Sequence, residues 1–234
     1  MILRGFLILM AIIKPLQASQ TAIQLGDTTV TIQRLQNGKG KNFVHVHANE
    51  TTALQSAKAV VRAQGGSLLT LKHRGTRNIV FNLDNKRYEF DPNRMFTDTG
   101  IKKTLQEFGN YSPLAHKEVK KLANALIELL PPGKIIAVHN NHDYSIKEYL
   151  PGQASEKEAD AIHLDKKKFF RNFYLVTQKN DFDRLKALNF NIVKQISHAT
   201  DDGSLSVYLA NREYINVEAG YGQLAAQMNM LKNA

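Results

Sequence analysis

The sequence predicts a single layered α/β domain with a mixed β-sheet flanked by helices. Three observations lead there. Short β-branched or apolar runs alternate with stretches whose apolar residues recur at helical spacing, the strand-helix-strand order of layered α/β domains. The 234 residues, 43% hydrophobic and 22% charged, suffice for one sizeable core and are short for two. No internal repeat, low-complexity tract or long linker divides the chain.

The first stretch, "MILRGFLILMAIIKPLQASQ", is expected to be a leader, not part of the fold. Arg4 supplies a basic start, residues 6–13 an apolar run, and Leu16-Gln17-Ala18 a small-residue cleavage site. The run is shorter than the roughly 20 residues a bilayer-spanning helix needs. The expectation is a signal peptide over residues 1–18 and a mature domain over residues 19–234. That domain is exported, periplasmic or secreted, and has no stable membrane insertion after cleavage.

Within the domain, "TTVTIQRL" and "NFVHVH" read as strands from their β-branched and alternating residues. Residues 51–64 follow a helical period and stop at Gly65-Gly66, a helix C-terminal signal. "SLLTL", "RNIVFNL" and "RYEF" are further strands. Residues 101–108 and 116–130 read as helices, the second closed by Pro131-Pro132-Gly133. "KIIAVH" is a short apolar strand ending in His139. "FYLVT", "NIVKQI", "LSVYLA" and "YINVEA" follow as strands, with helices over residues 181–188 and after Tyr221.

The formal charge of +10 would fall to +8 without Arg4 and Lys14, and a basic surface favours anionic partners such as wall polymers. Lys166-Lys167-Lys168 and Arg171, interleaved with Phe169, Phe170 and Phe173, have a composition that also occurs in nucleic-acid binders. The reading preferred here is a loop entering "NFYLVT", with solvated charges and core aromatics, and no nucleic-acid partner. Cysteine is absent, which excludes disulfides and thiolate metal sites. Any metal must be held by His, Asp and Glu, ligands that suit catalytic zinc.

Open α/β sheets place ligands at the carboxyl ends of their strands, where "NFVHVH" and "KIIAVH" both end in histidine. A tight turn can bring His47 and Glu50 onto one metal, with His139 completing a His2Glu set and a fourth position left for water. Read alone, the same residues are a polar strand end and a glutamate at a helix N-terminus. A competing set pairs His45 with His47, since alternate strand residues share a face, and adds His139 and His142. It would suit an eight-stranded barrel, for which the chain is short and lacks the rhythm. In "YEFDPNRMF", Asn93 and Arg94 offer an amide and a guanidinium fork that can grip a carboxylate, or form a turn opened by Asp91-Pro92. Glu218 in "YINVEAGYG" stands where a general base would act, or is a surface glutamate.

Together these features resemble the zinc metallocarboxypeptidase superfamily, in particular its aspartoacylase/succinylglutamate desuccinylase branch. "HANE" is similar to that branch's His-Gly-Asn-Glu zinc motif, "FDPNRMF" to its Asp-Leu-Asn-Arg-x-Phe carboxylate motif, "AVHNN" to its Asp-Leu-His-Asn segment, and "NVEAGYG" to its late glutamate strand. The four occur in the family's order between Val44 and Gly222. The resemblance implies one Zn2+ ion held by His47, Glu50 and His139, with Glu218 as base and proton shuttle. It further implies Asn93 and Arg94 as the carboxylate clamp, and Arg77 (or Arg87) as the arginine that polarises the scissile carbonyl. Ala48, Pro92 and Ala137-Val138 depart from the family pattern, and the aspartate missing before His139 leaves its ring partner open among Asn140, Asn141 and Asp143. Tyr144 and Tyr221 are the candidates for the specificity tyrosine. The implied activity is hydrolysis of an amide beside a free carboxylate, carboxypeptidase-type, on an exported substrate such as a peptidoglycan stem peptide. Alternatives are an N-acyl amino acid deacylase and a non-catalytic carboxylate-binding protein. The expected partners are the substrate and the cell wall, with the protein a monomer.

Overall fold

The computed structural model describes residues 16–234. The leader read over residues 1–18 lies outside the described residues except for its end, where Gln17 and Ala18 open the first strand. Among the described residues there are eleven strands: β1 (Gln17–Leu25), β2 (Thr28–Asn37), β3 (Lys41–His45), β4 (Gly66–Lys72), β5 (Ile79–Leu83), β6 (Lys86–Phe90), β7 (Ile135–Asn141), β8 (Ala159–His163), β9 (Phe173–Val176), β10 (Ile192–Gln195) and β11 (Tyr214–Gly220). The helices are α1 (Thr51–Gln64), α2 (Asp98–Glu107), α3 (Pro113–Glu128), α4 (Lys179–Ala187), the single turn α5 (Leu205–Tyr208) and α6 (Leu224–Asn233). Among the described residues no helix is long and apolar enough to cross a membrane.

Nine strands form one mixed sheet in the order β1-β2-β4-β3-β7-β11-β9-β10-β8, and β5 and β6 form a separate hairpin. The centre, β4-β3-β7-β11, is parallel, and antiparallel pairings extend it on both sides. Strands buried on both faces read as near-continuous apolar runs, and β7 and β11, buried along their whole length, are apolar except at His139, Asn140, Asn141, Asn216 and Glu218. Period-two alternation then sorts their side chains. Ile136, Val138, Ile215 and Val217 pack with Ala57, Val60 and Leu231 from α1 and α6. Ile135, Ala137 and Tyr214 point the other way, into a core shared with α2, α3 and the hairpin. His139, Asn141, Asn216 and Glu218 continue that second face beyond the core.

α1 runs over the predicted residues and ends at Gly65, whose φ of +83° a side chain would strain. Three sequence expectations are corrected. "LSVYLA" is not a strand: Ser204 caps a helical turn there by accepting from the Val207 N–H, and Leu205 and Leu209, one helical turn apart, are both buried. "NFVHVH" stops pairing at His45, so His47 lies in the turn after the strand. Of the aromatics interleaved with the lysines, Phe173 is in the core, Phe170 packs at its margin under Lys147 and Arg171, and Phe169 is 43% exposed. β1 and β8 were not legible in the sequence; both are edge strands with little buried surface, so they carry no apolar alternation.

Candidate metal centre and cleft

The turn after β3 is tight: the Glu50 N–H donates to the His47 carbonyl at 3.0 Å. Glu50 occupies the N-cap of α1, yet its side chain caps nothing in the helix. It turns instead to His47 Nδ1, 2.8 Å from Oε1, and to His139 Nδ1, 3.1 Å from Oε2. The His139 ring arrives from β7, the strand paired with β3 in the sheet, and the two Nδ1 atoms lie 3.1 Å apart. One ligand atom from each of His47, Glu50 and His139 falls within 4.8 Å of the others, and all three residues are buried.

Asp91 decides how these donors are used. Its Oδ1 accepts from His47 Nε2 at 2.7 Å and from the Asn93 N–H at 2.7 Å, while Oδ2 accepts from Arg77 at 3.2 Å. A carboxylate only accepts, so His47 Nε2 carries a proton and, in the neutral ring, Nδ1 presents a lone pair. That lone pair faces a carboxylate and a second imidazole nitrogen, an arrangement that needs a positive centre between them. A proton meets the need in part: burial alone would depress the His47 pKa, but Glu50 and Asp91 raise it to about 9. A cation with three ligands meets it fully, and two imidazoles with one carboxylate are a zinc donor set. The residues fit that ion. Against burial, His47 and His139 hold the Glu50 carboxyl well below the usual carboxylate range, and His47 and Arg77 do the same for Asp91.

His45 is not part of the set. Its Nδ1 lies 2.9 Å from the Thr70 hydroxyl and its Nε2 3.1 Å from the Glu50 carbonyl. A carbonyl accepts only, so Nε2–H donates to it and Nδ1 accepts from Thr70; burial holds this neutral ring's pKa down to about 4. His142 stacks on Tyr221 with ring centroids 4.1 Å apart.

Glu50 and His139 form part of the wall of a cleft of about 740 Å³, which is also lined by Arg77, Asn93, Arg94 and Glu218. Glu218 is the register partner of His139 on the neighbouring strand and shares its face. Arg77 reaches across the mouth, donating to Glu50 at 2.8 Å and to Asp91. Arg87 does not line the cleft; it pairs with Glu89 on the outer face of the hairpin. Asn93 Oδ1 accepts the Leu205 N–H at 3.3 Å, and Arg94 pairs with Asp202 at 3.3 Å. Tyr144, hydrogen-bonded to Tyr149, and Tyr221 both line the cleft. Asn140 bonds Glu50, the Ala53 N–H and Gln227, fastening the ligand turn to α1 and α6; Asn141 bonds Glu218. Asp91 is the residue that sequence reasoning passed over, because its partner lies 44 positions away and its local role as a turn opener was sufficient to explain it.

No family model and no curated protein matches the chain. Among solved structures, an aspartoacylase family protein from Mesorhizobium loti is similar at 13% identity and a TM-score of 0.47, over 93% of this chain and 65% of that one. A provisionally assigned carboxypeptidase from Burkholderia mallei is similar at 11% identity and a TM-score of 0.41, over 92% of this chain and 63% of that one. The chain thus spans just under two thirds of the length of each.

Proposed function

We propose that the protein is a zinc-dependent hydrolase that cleaves an amide bond beside a free carboxylate. The observation that supports this best is the convergence of His47, Glu50 and His139, with Glu50 and His139 in the wall of one cleft that also holds Glu218, Arg77 and the Asn93-Arg94 pair. The motif resemblance in the sequence points to the same chemistry. Zinc, when bound, supplies Lewis-acid polarisation of a carbonyl and acidifies water. Glu218 takes a proton from the attacking water and returns it to the leaving amine. Arg77, already beside Glu50, places a guanidinium where charge develops on the carbonyl oxygen. Asn93 and Arg94 hold the substrate carboxylate and so set the register of the scissile bond, with Asp202 giving up its contact to Arg94. An exported carboxypeptidase acting on peptides such as peptidoglycan stems is the substrate reading; an N-acyl amino acid deacylase would use the same parts.

Elemental analysis of protein purified without chelator should give one zinc per chain, lost in His47→Ala. Glu218→Gln should keep the zinc and lose turnover on acylated amino acids or peptides. Absence of stoichiometric zinc, or undiminished turnover in Glu218→Gln, would overturn the proposal.

A further inference from the structure

The loop over residues 201–205 holds both Asn93 and Arg94. Asp202 Oδ2 lies 3.3 Å from Arg94 Nη1, and the Leu205 N–H donates to Asn93 Oδ1 at 3.3 Å. Asn93 thus has its Nδ2 left for a ligand carboxylate, whereas the Arg94 guanidinium already faces a carboxylate. That contact is open to the cleft: the Arg94 and Asp202 side chains are 39% and 45% exposed, and both residues line it. The loop backbone is fixed. Asp202 Oδ1 accepts the Ser204 N–H at 2.9 Å, and the Gly203 carbonyl accepts the Phe96 N–H at 3.0 Å. Gly203 also packs so closely on Gly100 and the Arg94 carbonyl that neither glycine has room for a Cβ. A ligand carboxylate reaching Arg94 therefore turns the Asp202 side chain aside and still has its charge nearby.

The cleft wall has little to offset that charge. Among the described residues no lysine lines it, and its other guanidinium, Arg77, is engaged by Glu50 and Asp91. Of its histidines, His139 faces Glu50 and His142 stacks on Tyr221. Asp143, Glu148 and Glu158 stand in the same wall. A substrate residue with one carboxylate needs only Arg94 and Asn93. One that bears a further carboxylate on its side chain brings a second negative charge to a wall whose guanidiniums are both taken.

We propose that Asp202 is a specificity-determining residue: it occupies Arg94 in the free protein, makes binding an exchange of one carboxylate for another, and disfavours a clamped residue that carries a second carboxylate. The favoured substrates are then amides of residues with a single carboxylate, not acylated aspartate or glutamate. This specificity rests on the reading of Asn93 and Arg94 as the clamp. It acts between half-exposed charges, so it is worth severalfold in affinity and weakens with salt.

Calorimetry on the zinc-loaded Glu218→Gln chain, which the proposed mechanism makes inert, tests this without turnover. N-acetyl-asparagine and N-acetyl-aspartate have nearly the same shape and differ by one carboxylate. The first should bind about fivefold tighter, and the gap should narrow in high salt. Adding Asp202→Asn, which keeps an oxygen for the Ser204 N–H, should tighten N-acetyl-asparagine about threefold to fivefold and N-acetyl-aspartate by more. With Asp202 in place, equal binding of the two, tighter binding of N-acetyl-aspartate, or no binding of either would overturn the proposal. So would affinities that Asp202→Asn leaves unchanged. Arg94→Gln separates this outcome from failure of the clamp. If it removes binding while Asp202→Asn changes nothing, the clamp stands and Asp202 has no part in specificity; if binding survives in Arg94→Gln, both fall.

Discussion

At the scale of single residues, the arrangement turns on which nitrogen of His47 carries its proton. Asp91 accepts a hydrogen bond from His47 Nε2–H and so turns Nδ1 to Glu50 and His139. Hydrogen-bonded carboxylates behind ligating histidines orient the ring and raise its basicity, and losing one typically costs 10- to 100-fold in metal affinity, by rough precedent. Asp91→Asn keeps an oxygen for the Asn93 N–H but removes the charge facing His47 and Arg77. It should weaken zinc binding about tenfold in a chelator competition, with the fold retained. Unchanged affinity would mean that Asp91 serves the turn alone. His45 shows the opposite outcome for the same residue type. With both ring nitrogens satisfied by Thr70 and a backbone carbonyl, it has no lone pair left for a metal.

At the scale of elements, the Asn93-Arg94 turn, the proposed clamp, is positioned by two glycines. α2 begins beside the loop that leads into α5, and Gly100 and Gly203 let the two backbones meet over the Arg94 carbonyl. A Cβ on Gly100 would lie 2.2 Å from Gly203 Cα and 2.6 Å from the Arg94 oxygen. Gly203 also has a φ of +77° and accepts the Phe96 N–H through its carbonyl. Gly100→Ala must therefore push α2 off the Asn93-Arg94 turn. A loss of about 1–3 kcal/mol in denaturant unfolding is expected from overpacking of this kind. KM for carboxylate substrates should rise more than kcat falls, while zinc content stays the same. Wild-type KM in that variant would detach the clamp from the glycine contact. α1 shows a related compromise: its N-cap is Glu50, which gives up capping to serve the cluster.

At the scale of the whole molecule, His47, Glu50 and His139 join the turn after β3 to β7 at the centre of the sheet, so a metal bound there would link binding to folding. A ligand at 1,000 times its Kd stabilises the native state by about 4 kcal/mol, and a domain of 150–250 residues gains about 2–4 °C in Tm for each of those. Zinc should raise Tm by roughly 10 °C, a chelator should reverse it, and His47→Ala should show neither response. Identical Tm values with and without zinc would leave the cluster as a hydrogen-bonded core feature.

The sequence by itself determined the layered α/β class, the bounds of α1 and the central strands, and the separate pieces of the site. Those are local matters: the period of the apolar residues, the glycines after α1, and short runs such as "HANE" and "DPNR" that stay legible wherever the chain goes. The helical turn at "LSVYLA" and the strands β1 and β8 were hidden, because burial against distant elements or pairing at an edge decides them and leaves no periodic mark. Only the tertiary structure shows that His47 and not His45 stands with Glu50 and His139, that Arg77 and not Arg87 lines the cleft, and that Asp91 faces the His47 ring. The physical reason is the same in each case. A side chain's chemistry depends on what lies against it, and His45, His47, Arg77 and Asp91 each have a partner 25 or more positions away.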